Sequence, residues 1–372
     1  MKKSLIALAV AGAFAAPAFA ASSNVDIYGK MRVSLDHVDV TNTSSNWTLN
    51  DRVSRIGFKG SEDLGGGMKA VWQIENGVQF DGAAGALGGL GLRNTFVGLS
   101  SGFGTVLAGR HDTPYKLAGS ADLFGDTAAD SQSGSSIIGY DIGGNGLGGF
   151  DIRAGNAIAY VSPTFSGFHV AAAIVPGETS RANNAPAGTP IANGLADAWS
   201  LAAVYANGPL SVTAGYEKHT TDLANAILGT TLFNQGSESA FKLNGSYTFG
   251  DFKLGATYED QSSFDLNTLT AGTVGKIKSK NYLVSGAYGM GPITLAAQYG
   301  KRNVNGEAEK VTIGEQDLTR WTLGAIYNLS KRTSAYVAYN HDNLDNSTAV
   351  GVTPALADRT TKVWTFGVNH DF

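Results

Sequence analysis

The stretch Phe241-Lys242-Leu243-Asn244-Gly245-Ser246-Tyr247-Thr248-Phe249-Gly250-Asp251-Phe252-Lys253-Leu254-Gly255-Ala256-Thr257-Tyr258-Glu259 decides the fold. Phe241, Leu243, Tyr247 and Phe249 alternate with Lys242, Asn244, Ser246 and Thr248. After Gly250-Asp251, Phe252, Leu254, Ala256 and Tyr258 alternate with Lys253, Gly255, Thr257 and Glu259. A period of two places alternate side chains on opposite faces of an extended strand, so each arm has one oily face and one wet face.

The same pattern opens the region at residue 25, where Val25, Ile27, Met31, Val33 and Leu35 share a face with Gly29. Asp26, Tyr28, Lys30, Arg32, Ser34 and Asp36 share the other. It recurs at Leu210, Val212, Ala214 and Tyr216 against Ser211, Thr213, Gly215 and Glu217. About sixteen such segments succeed one another, each near the roughly ten residues that a tilted membrane-crossing strand needs. Taken singly, each reads equally well as a half-buried strand of a soluble protein. Their connections separate the two readings. Tight links at Ser101-Gly102, Asn207-Gly208-Pro209, Gly250-Asp251, Gly291-Pro292 and Ser330-Lys331 interleave with long polar stretches. The long ones fall at about 39–51, 81–91, 112–152, 176–195, 219–237, 260–279, 302–317 and 341–360. Short turns on one side and long loops on the other predict an all-β, transmembrane, antiparallel up-and-down β-barrel, with turns periplasmic and loops extracellular.

Composition agrees. The chain has 372 residues, 49 glycines, no cysteine and 10% aromatic residues, with a mean hydropathy of −0.05, which fits a large β-rich protein without disulfides. Met1-Lys2-Lys3, the apolar run Leu5 to Ala16 and Ala18-Phe19-Ala20 read as a secretory signal peptide over 1–20, leaving 21–372 as the barrel. Beyond it no run approaches the roughly 18 apolar residues of a membrane helix. The net charge of −4 gives no reason to expect a nucleic-acid partner. Aromatics gather at segment ends, as at Trp47, Trp72, Tyr205, Tyr216, Tyr247, Tyr258, Tyr288, Tyr299, Tyr327 and Tyr339. Membrane interfaces favour them there, although strands favour them anywhere.

The last segment puts Trp364, Phe366, Val368, His370 and Phe372 on one face and Thr365, Gly367, Asn369 and Asp371 on the other. In a soluble protein it would be a sticky edge, whereas in a closed barrel it pairs with the strand opening at Val25. An aromatic-rich final strand ending on Phe resembles the signal that outer-membrane barrels present to their assembly machinery.

Motifs in order along the chain sharpen the resemblance. They are Val25-Asp26-Ile27-Tyr28-Gly29; Ser54-Arg55-Ile56-Gly57-Phe58-Lys59-Gly60-Ser61-Glu62-Asp63-Leu64-Gly65; Phe96-Val97-Gly98-Leu99 with Gly102-Phe103-Gly104-Thr105 and Gly109-Arg110; Asn156 to Pro163 with Phe165 to Phe168; and Phe366-Gly367-Val368. Together they resemble a Gram-negative trimeric porin of the neisserial and β-proteobacterial general-diffusion type. The resemblance implies a homotrimer in outer-membrane lipid and lipopolysaccharide, passing ions and small solutes without a cofactor. It also implies a third loop folded into the lumen, with acidic groups facing basic side chains on the wall.

The longest loop is the third, about Asp112 to Ile152, and it carries Asp122, Asp126 and Asp130. Arg55, Arg93 and Arg153 match the wall arginines that the resemblance implies. Alternation alone adds Lys30 and Arg32 on the polar face of the first segment, and Arg55 and Lys59 opposite Ile56 and Phe58. Lys69 and Arg110 are further candidates. Arg153 shares parity with Ala157 and Ala159, while the neighbours of Arg93 leave its face open. A charge on the lipid face costs about 2–4 kcal/mol at mid-membrane, so a barrel favours lumen positions for these cations. Two departures from the family pattern lie near that loop: Ala157 and Val161 stand where Ser and an acid are usual, and Gly143 to Gly149 is an added glycine-rich stretch.

An enzyme is the first rival. The six histidines show no metal-ligand spacing, no Gly-x-Ser-x-Gly elbow occurs, and His341-Asp342 is the nearest approach to a catalytic pair. Other rivals are a substrate-specific channel and a loop-mediated adhesin on the same barrel.

Overall fold

The computed structural model describes residues 25–79, 81, 93–132, 136–140, 149–178, 194–220, 233–235, 237–263, 265–267, 274–308, 311–346 and 358–372. The segment read as a signal peptide and most of Gly143 to Gly149 lie outside the described residues. Sixteen antiparallel strands form the wall: β1 (Val25–Val40), β2 (in two pieces, Asn46–Asp51 and Arg55–Gly65), β3 (Met68–Gly77), β4 (Thr95–Ser101), β5 (Gly104–Asp112), β6 (Arg153–Val161), β7 (Phe168–Val175) and β8 (Ala198–Asn207). They continue as β9 (Leu210–Thr220), β10 (Ser237–Phe249), β11 (Phe252–Ser262), β12 (Val274–Met290), β13 (Ile293–Ala308), β14 (Val311–Asn328), β15 (Thr333–Asn346) and β16 (Arg359–Asp371). Short pieces at Phe233–Gln235 and Asp265–Asn267 pair with each other above the rim.

Each strand pairs with its sequence neighbours, and β1 pairs with β16 from Lys30 opposite Asp371 to Val40 opposite Thr361. Reciprocal backbone bonds between Gly29 and Phe372, 3.0 and 3.1 Å, continue the seam. The wall therefore closes on itself and leaves no edge strand among the described residues, as a lipid environment demands.

The wall is inside out relative to a soluble protein. Leu323 is 54% exposed on the outer face, whereas its neighbour Thr322 is fully buried on the inner face. Asn281, Gln261, Asn340 and Thr365 are likewise buried inside, while Leu243, Leu254, Val284 and Phe366 stand outward. Stacked aromatics rim the outer wall. Phe249, Phe252 and Tyr288 stack at the turn end of β10–β12, with centroids 5.5 and 4.3 Å apart. Trp199 and Tyr216, Tyr258 and Tyr282, and Trp321, Tyr339 and Trp364 form contacts near the loop end.

Strands β11 to β16 run further than alternation predicts. Strand reaches into the stretches expected as loops, over 260–262 and 274–279, 341–346 and 359–360, and β13 continues to Ala308 with β14 resuming at Val311. Above the membrane the outer face turns polar, while Ile277, Val304, Leu318 and Leu344 are buried on the inner face, so the oily-outside period that marks the wall is lost while the pairing persists. There Lys301 meets Asp317 at 3.3 Å and Asn303 donates to Asp317 at 2.6 Å.

The third loop lies inside the barrel. Thr113 caps a single turn, α1 (Pro114–Leu117), by accepting from the Lys116 N–H. The chain then tracks along the inner wall. Tyr115 N–H donates to Ser200 of β8 (2.8 Å), Thr213 of β9 donates to the Ala118 carbonyl (2.5 Å), and Ala121 N–H donates to Thr257 of β11 (2.7 Å). Leu123 N–H reaches Gln298 of β13 at 3.0 Å. Phe124 and Ala129 pack on Ala296 and Ala338, and Ile137 and Ile138 on Leu283, Leu318 and Leu344. Much of the barrel's apolar core is this seam between loop and wall. Gly324 makes room for it: a Cβ there would stand 2.5 Å from the Phe124 ring.

Candidate functional site

A basic arc occupies the lumen face of β1 to β6. Arg32 of β1 meets Asp126 of the third loop at 2.5 Å, and Arg55 of β2 meets the same carboxylate at 3.4 Å. Arg93, just before β4, pairs with Glu75 of β3 at 2.6 Å, and Arg55 approaches Glu75 at 3.9 Å. The Tyr28 hydroxyl donates to the other Glu75 oxygen at 3.0 Å. Arg153 pairs with Asp112 at 2.9 Å and donates to Asn94 at 2.6 Å. Lys116 lies 3.7 Å from Asp112 and 3.4 Å from Asp151, at the roots of the loop. Lys59 sits over the Tyr28 ring, 5.4 Å from its centroid, and Lys30 stands opposite Arg55 in the β1–β2 ladder.

The three loop aspartates part company. Among the described residues, only Asp126 of the three forms an ion pair with wall cations. The carboxylate of Asp122 accepts the N–H groups of Phe124 and Ser131, and that of Asp130 accepts those of Asp126 and Gln132. Both are half-buried yet densely surrounded. Burial pushes Asp122 above the usual carboxylate range, and burial with the adjoining Asp122 pushes Asp130 well above it. Burial and the nearby Glu259 carboxylate hold the Tyr115 hydroxyl well above its ordinary value, so it stays a donor to Glu259, at 2.6 Å.

Two breaks in register shape the arc. Val53 has φ 59, a conformation rare for a β-branched residue, and it interrupts β2. Arg52 and Arg55, three apart, would otherwise face opposite ways. With the break both point inward, Arg52 to the fully buried Asp36 and Arg55 to Asp126. Asn156 has φ 54, and the β5–β6 register shifts between Gly109 and His111. The parity that linked Arg153 to Ala157 therefore does not run through, and Arg153 is held by Asp112 and Asn94 instead. Arg110 is exposed and shares the parity of outward-facing Val106 and Ala108. Lys69 shares the inward parity of Val71.

Sequence reasoning passed over several lumen residues. Glu75 was readable, since Lys69, Val71, Gln73 and Glu75 alternate with Met68, Ala70, Trp72 and Ile74. Lys242 and Glu259 stood on the wet faces of the decisive hairpin. Lys242 is fully buried against the Tyr115 ring (4.3 Å), and Glu259 accepts from Tyr115, Gly139 N–H and Asn281. Arg302 donates to the Ser136 carbonyl at 2.5 Å, and Arg320 to the Ser136 hydroxyl at 2.6 Å. Arg320 is also bidentate on Asp342, 2.7 Å to each oxygen. These groups hold the loop down rather than line the passage. Asp342 thus turns inward, while its neighbour His341 stacks on Trp321 outside at 5.4 Å, so the two cannot act as a catalytic pair.

On β16, Trp364, Phe366, Val368, His370 and Phe372 all stand on the outer face, and the Phe372 ring lies over Gly29.

Residues 7–347 match the Gram-negative porin family. Outer membrane porin protein 32 of Delftia acidovorans is 31% identical over 349 residues, covering 90% of this chain and 88% of that one. Major outer membrane protein P.IB of Neisseria lactamica is 28% identical over 385 residues, across the whole of both chains. Among solved structures, the anion-selective porin from Comamonas acidovorans superposes with a TM-score of 0.69 at 23% identity, over 94% of this chain and 100% of that one. The trimer form of OmpT from Vibrio cholerae gives 0.63 at 19% identity, over 94% and 100%. A closed sixteen-strand wall, an inward third loop and a match over most of its length make this chain a member of the Gram-negative porin family, an outer-membrane channel for passive diffusion.

Proposed function

We propose that this diffusion channel passes small anions somewhat more readily than cations, and that the passage between the third loop and β1–β6 does the sorting. One observation carries the reading. Lys30, Arg32, Arg55, Lys59, Arg93 and Arg153 face the carboxylates of Asp126, Glu75 and Asp112, with Asp371 beside Lys30 across the seam. The balance is positive but small, so the field is transverse and the preference weak. The structural neighbour from Comamonas acidovorans is an anion-selective porin, which accords with this. The reading assigns no reaction: ions cross a wet passage, and the ionisable groups orient them.

Reversal potential in a planar bilayer under a KCl gradient tests it. Purified protein should form open, long-lived channels with a potential of anion-selective sign. Arg153→Gln should move it toward cations, and an unmoved potential would take Arg153 out of the passage. A conductance that saturates with one solute would favour a substrate-specific channel instead.

A homotrimer belongs to the same proposal. At membrane height the outer faces of β1, β4 and β5 carry aliphatic Val25, Ile27, Met31, Leu35, Val97, Leu99 and Val106. Stacked aromatics suited to a lipid interface rim β8 to β16 instead. The aliphatic arc suits a neighbouring copy, and the remainder suits lipid and lipopolysaccharide. The outward Trp364, Phe366, Val368, His370 and Phe372 are the surface we assign to the barrel-assembly machinery.

A further inference from the structure

Behind the root of the third loop, the inner wall holds a histidine between two carboxylates. His219 of β9 has Glu238, its neighbour across the ladder on β10, 2.5 Å from Nδ1, and Glu217 of its own strand 2.9 Å from Nε2. All three side chains are buried. Phe150 of the third loop, itself fully buried, lies on the imidazole with ring centroids 5.1 Å apart and planes 22° apart. A carboxylate accepts hydrogen bonds and a neutral imidazole has one N–H to give, so a ring with a carboxylate on each nitrogen donates to both as the imidazolium. We propose that His219 is held as an imidazolium by Glu217 and Glu238, and that this charged ring positions the root of the third loop through Phe150, and through that root Arg153 at the passage.

The charges around the ring agree with that assignment. From β10, Lys242 lies against the Tyr115 ring and stands opposite Glu259 of β11, which accepts from the Tyr115 hydroxyl and the Asn281 amide. From the loop, Lys116 pairs with Asp112 and Asp151. Beside the start of β8, the Asp197 carboxylate accepts the Gly194 N–H and its carbonyl the Thr220 N–H. His219 is the cation set between Glu217 and Glu238, and it lies three residues beyond Tyr216 of the aromatic rim, on the loop side. Burial alone would strip its proton, but the hydrogen bonds and charges of the two carboxylates prevail and push the ring up to about 10. The seat is therefore complete at neutral pH and is lost as pH rises through about 10.

Phe150 carries the anchor into the loop, since an aromatic face attracts a cation stacked on it. Tyr115, at the other root of the loop, packs on the Phe150 ring at 5.9 Å, so both roots rest on this seat. Asp151, the next residue, accepts from Gln132 at 3.0 Å and meets Lys116 at 3.4 Å. Lys116 reaches Asp112, and Asp112 holds Arg153. A shift of Phe150 passes along that chain of ion pairs to Arg153. His219 is thus a positioning residue acting through Phe150.

Two substitutions separate the ring from its charge. Phe150→Leu keeps apolar bulk and every charge but removes the flat face that rests on the imidazolium. His219→Gln removes ring and charge together. With the seat acting through Arg153, both move selectivity toward cations, and neither moves it further once Arg153 is already neutral.

The test uses full-length purified channels carrying isotope-labelled histidine. In their nuclear magnetic resonance spectra both ring nitrogens of His219 should carry a proton at pH 8, where an ordinary histidine is neutral. The signal is assigned by its loss in His219→Gln or, should that variant not assemble, by its contacts to the Phe150 ring. A single protonated nitrogen at pH 8 would overturn the imidazolium. In KCl-gradient bilayers, Phe150→Leu should lower the anion-to-cation permeability ratio by about twofold, less than the loss of a full charge beside the passage would. Combined with Arg153→Gln, it should match Arg153→Gln alone. A Phe150→Leu channel of wild-type selectivity, or a double variant in which the two shifts add, would overturn the positioning role. The inference rests on the charge-sorting reading of the lumen, and the arms separate the two: an unmoved potential in Arg153→Gln sinks that reading, while the ring nitrogens judge the imidazolium alone.

Discussion

Replacing Glu75 by Gln should make the channel more anion-selective without loosening it. Glu75 stands between Arg55 and Arg93 and holds the Tyr28 hydroxyl, so it cancels part of the arc from within. Glutamine keeps the size, accepts from Tyr28 and loses only the charge. An ion passing roughly 6 Å away feels about 0.7 kcal/mol from one charge in water, and salt near 0.1 M cuts that by about half. The effect has opposite sign for K⁺ and Cl⁻, so the permeability ratio should rise by about 0.8 kcal/mol, close to fourfold. Reversal potential under a KCl gradient reads the ratio, and repeating it at high salt should shrink the change, as screening requires. A thermal unfolding midpoint in detergent near wild type would show that the barrel is intact. A ratio that stays put or moves toward cations, in an intact barrel, would refute the view that Glu75 offsets the wall arginines.

Gly324→Val should dislodge the loop tip, because a Cβ there already stands 2.5 Å from the Phe124 ring and 2.8 Å from the Val337 carbonyl. The expected outcome is an altered single-channel conductance with strand content unchanged by circular dichroism. Leu243→Arg puts a cation on the lipid face of β10, where Leu243 is 44% exposed, and should cost about 2–4 kcal/mol in urea unfolding from bilayers. Lys242→Met, one residue away on the inner face, should affect the seating of the third loop rather than membrane insertion, so its unfolding in detergent and in bilayers should shift alike.

Alternation made the wall legible because a lipid exterior and a wet interior impose the same period on every strand, and Leu323 beside Thr322 shows it residue by residue. It failed in three places for three reasons. Above the membrane, as at Lys301 to Asn305, the outer face is polar and the buried inner face mixes Arg302 with Val304, so the oily-outside period is absent. At Val53 and Asn156 the register breaks, so parity counted along the sequence misassigns the residues beyond each break. Inside the third loop there is no period at all, and Asp122, Asp126 and Asp130 look alike in sequence. Their separate roles come from which backbone N–H groups each can reach. Glu75, by contrast, was within reach of the alternation rule and was missed because the resemblance directs attention to arginines.

The register breaks also explain how a regular wall holds an irregular field. In an unbroken strand only every second residue faces the lumen, about 7 Å from the next, which is too sparse to crowd cations against one loop carboxylate. The break at Val53 lets Arg52 and Arg55 of one strand both enter, and the shift near Asn156 brings Arg153 to Asp112 at the root of the loop. Arg93 arrives just before β4 begins, its N–H donating to the Glu75 carbonyl of β3 at 3.1 Å. Positive charge thus gathers beside the breaks at Val53 and Asn156, while the ladders of β10 to β15, regular except for a shift at Gly306–Glu307, carry Lys242, Arg302 and Arg320, whose contacts seat the loop. Two substitutions at residue 53 separate the two ideas. Val53→Gly should leave selectivity in place, since glycine accepts the same positive φ. Val53→Pro forbids that φ, so with Arg52 and Arg55 still three apart it should turn one of them outward and weaken anion preference, and an unchanged reversal potential in an assembled Val53→Pro channel would show that the break is incidental to the field.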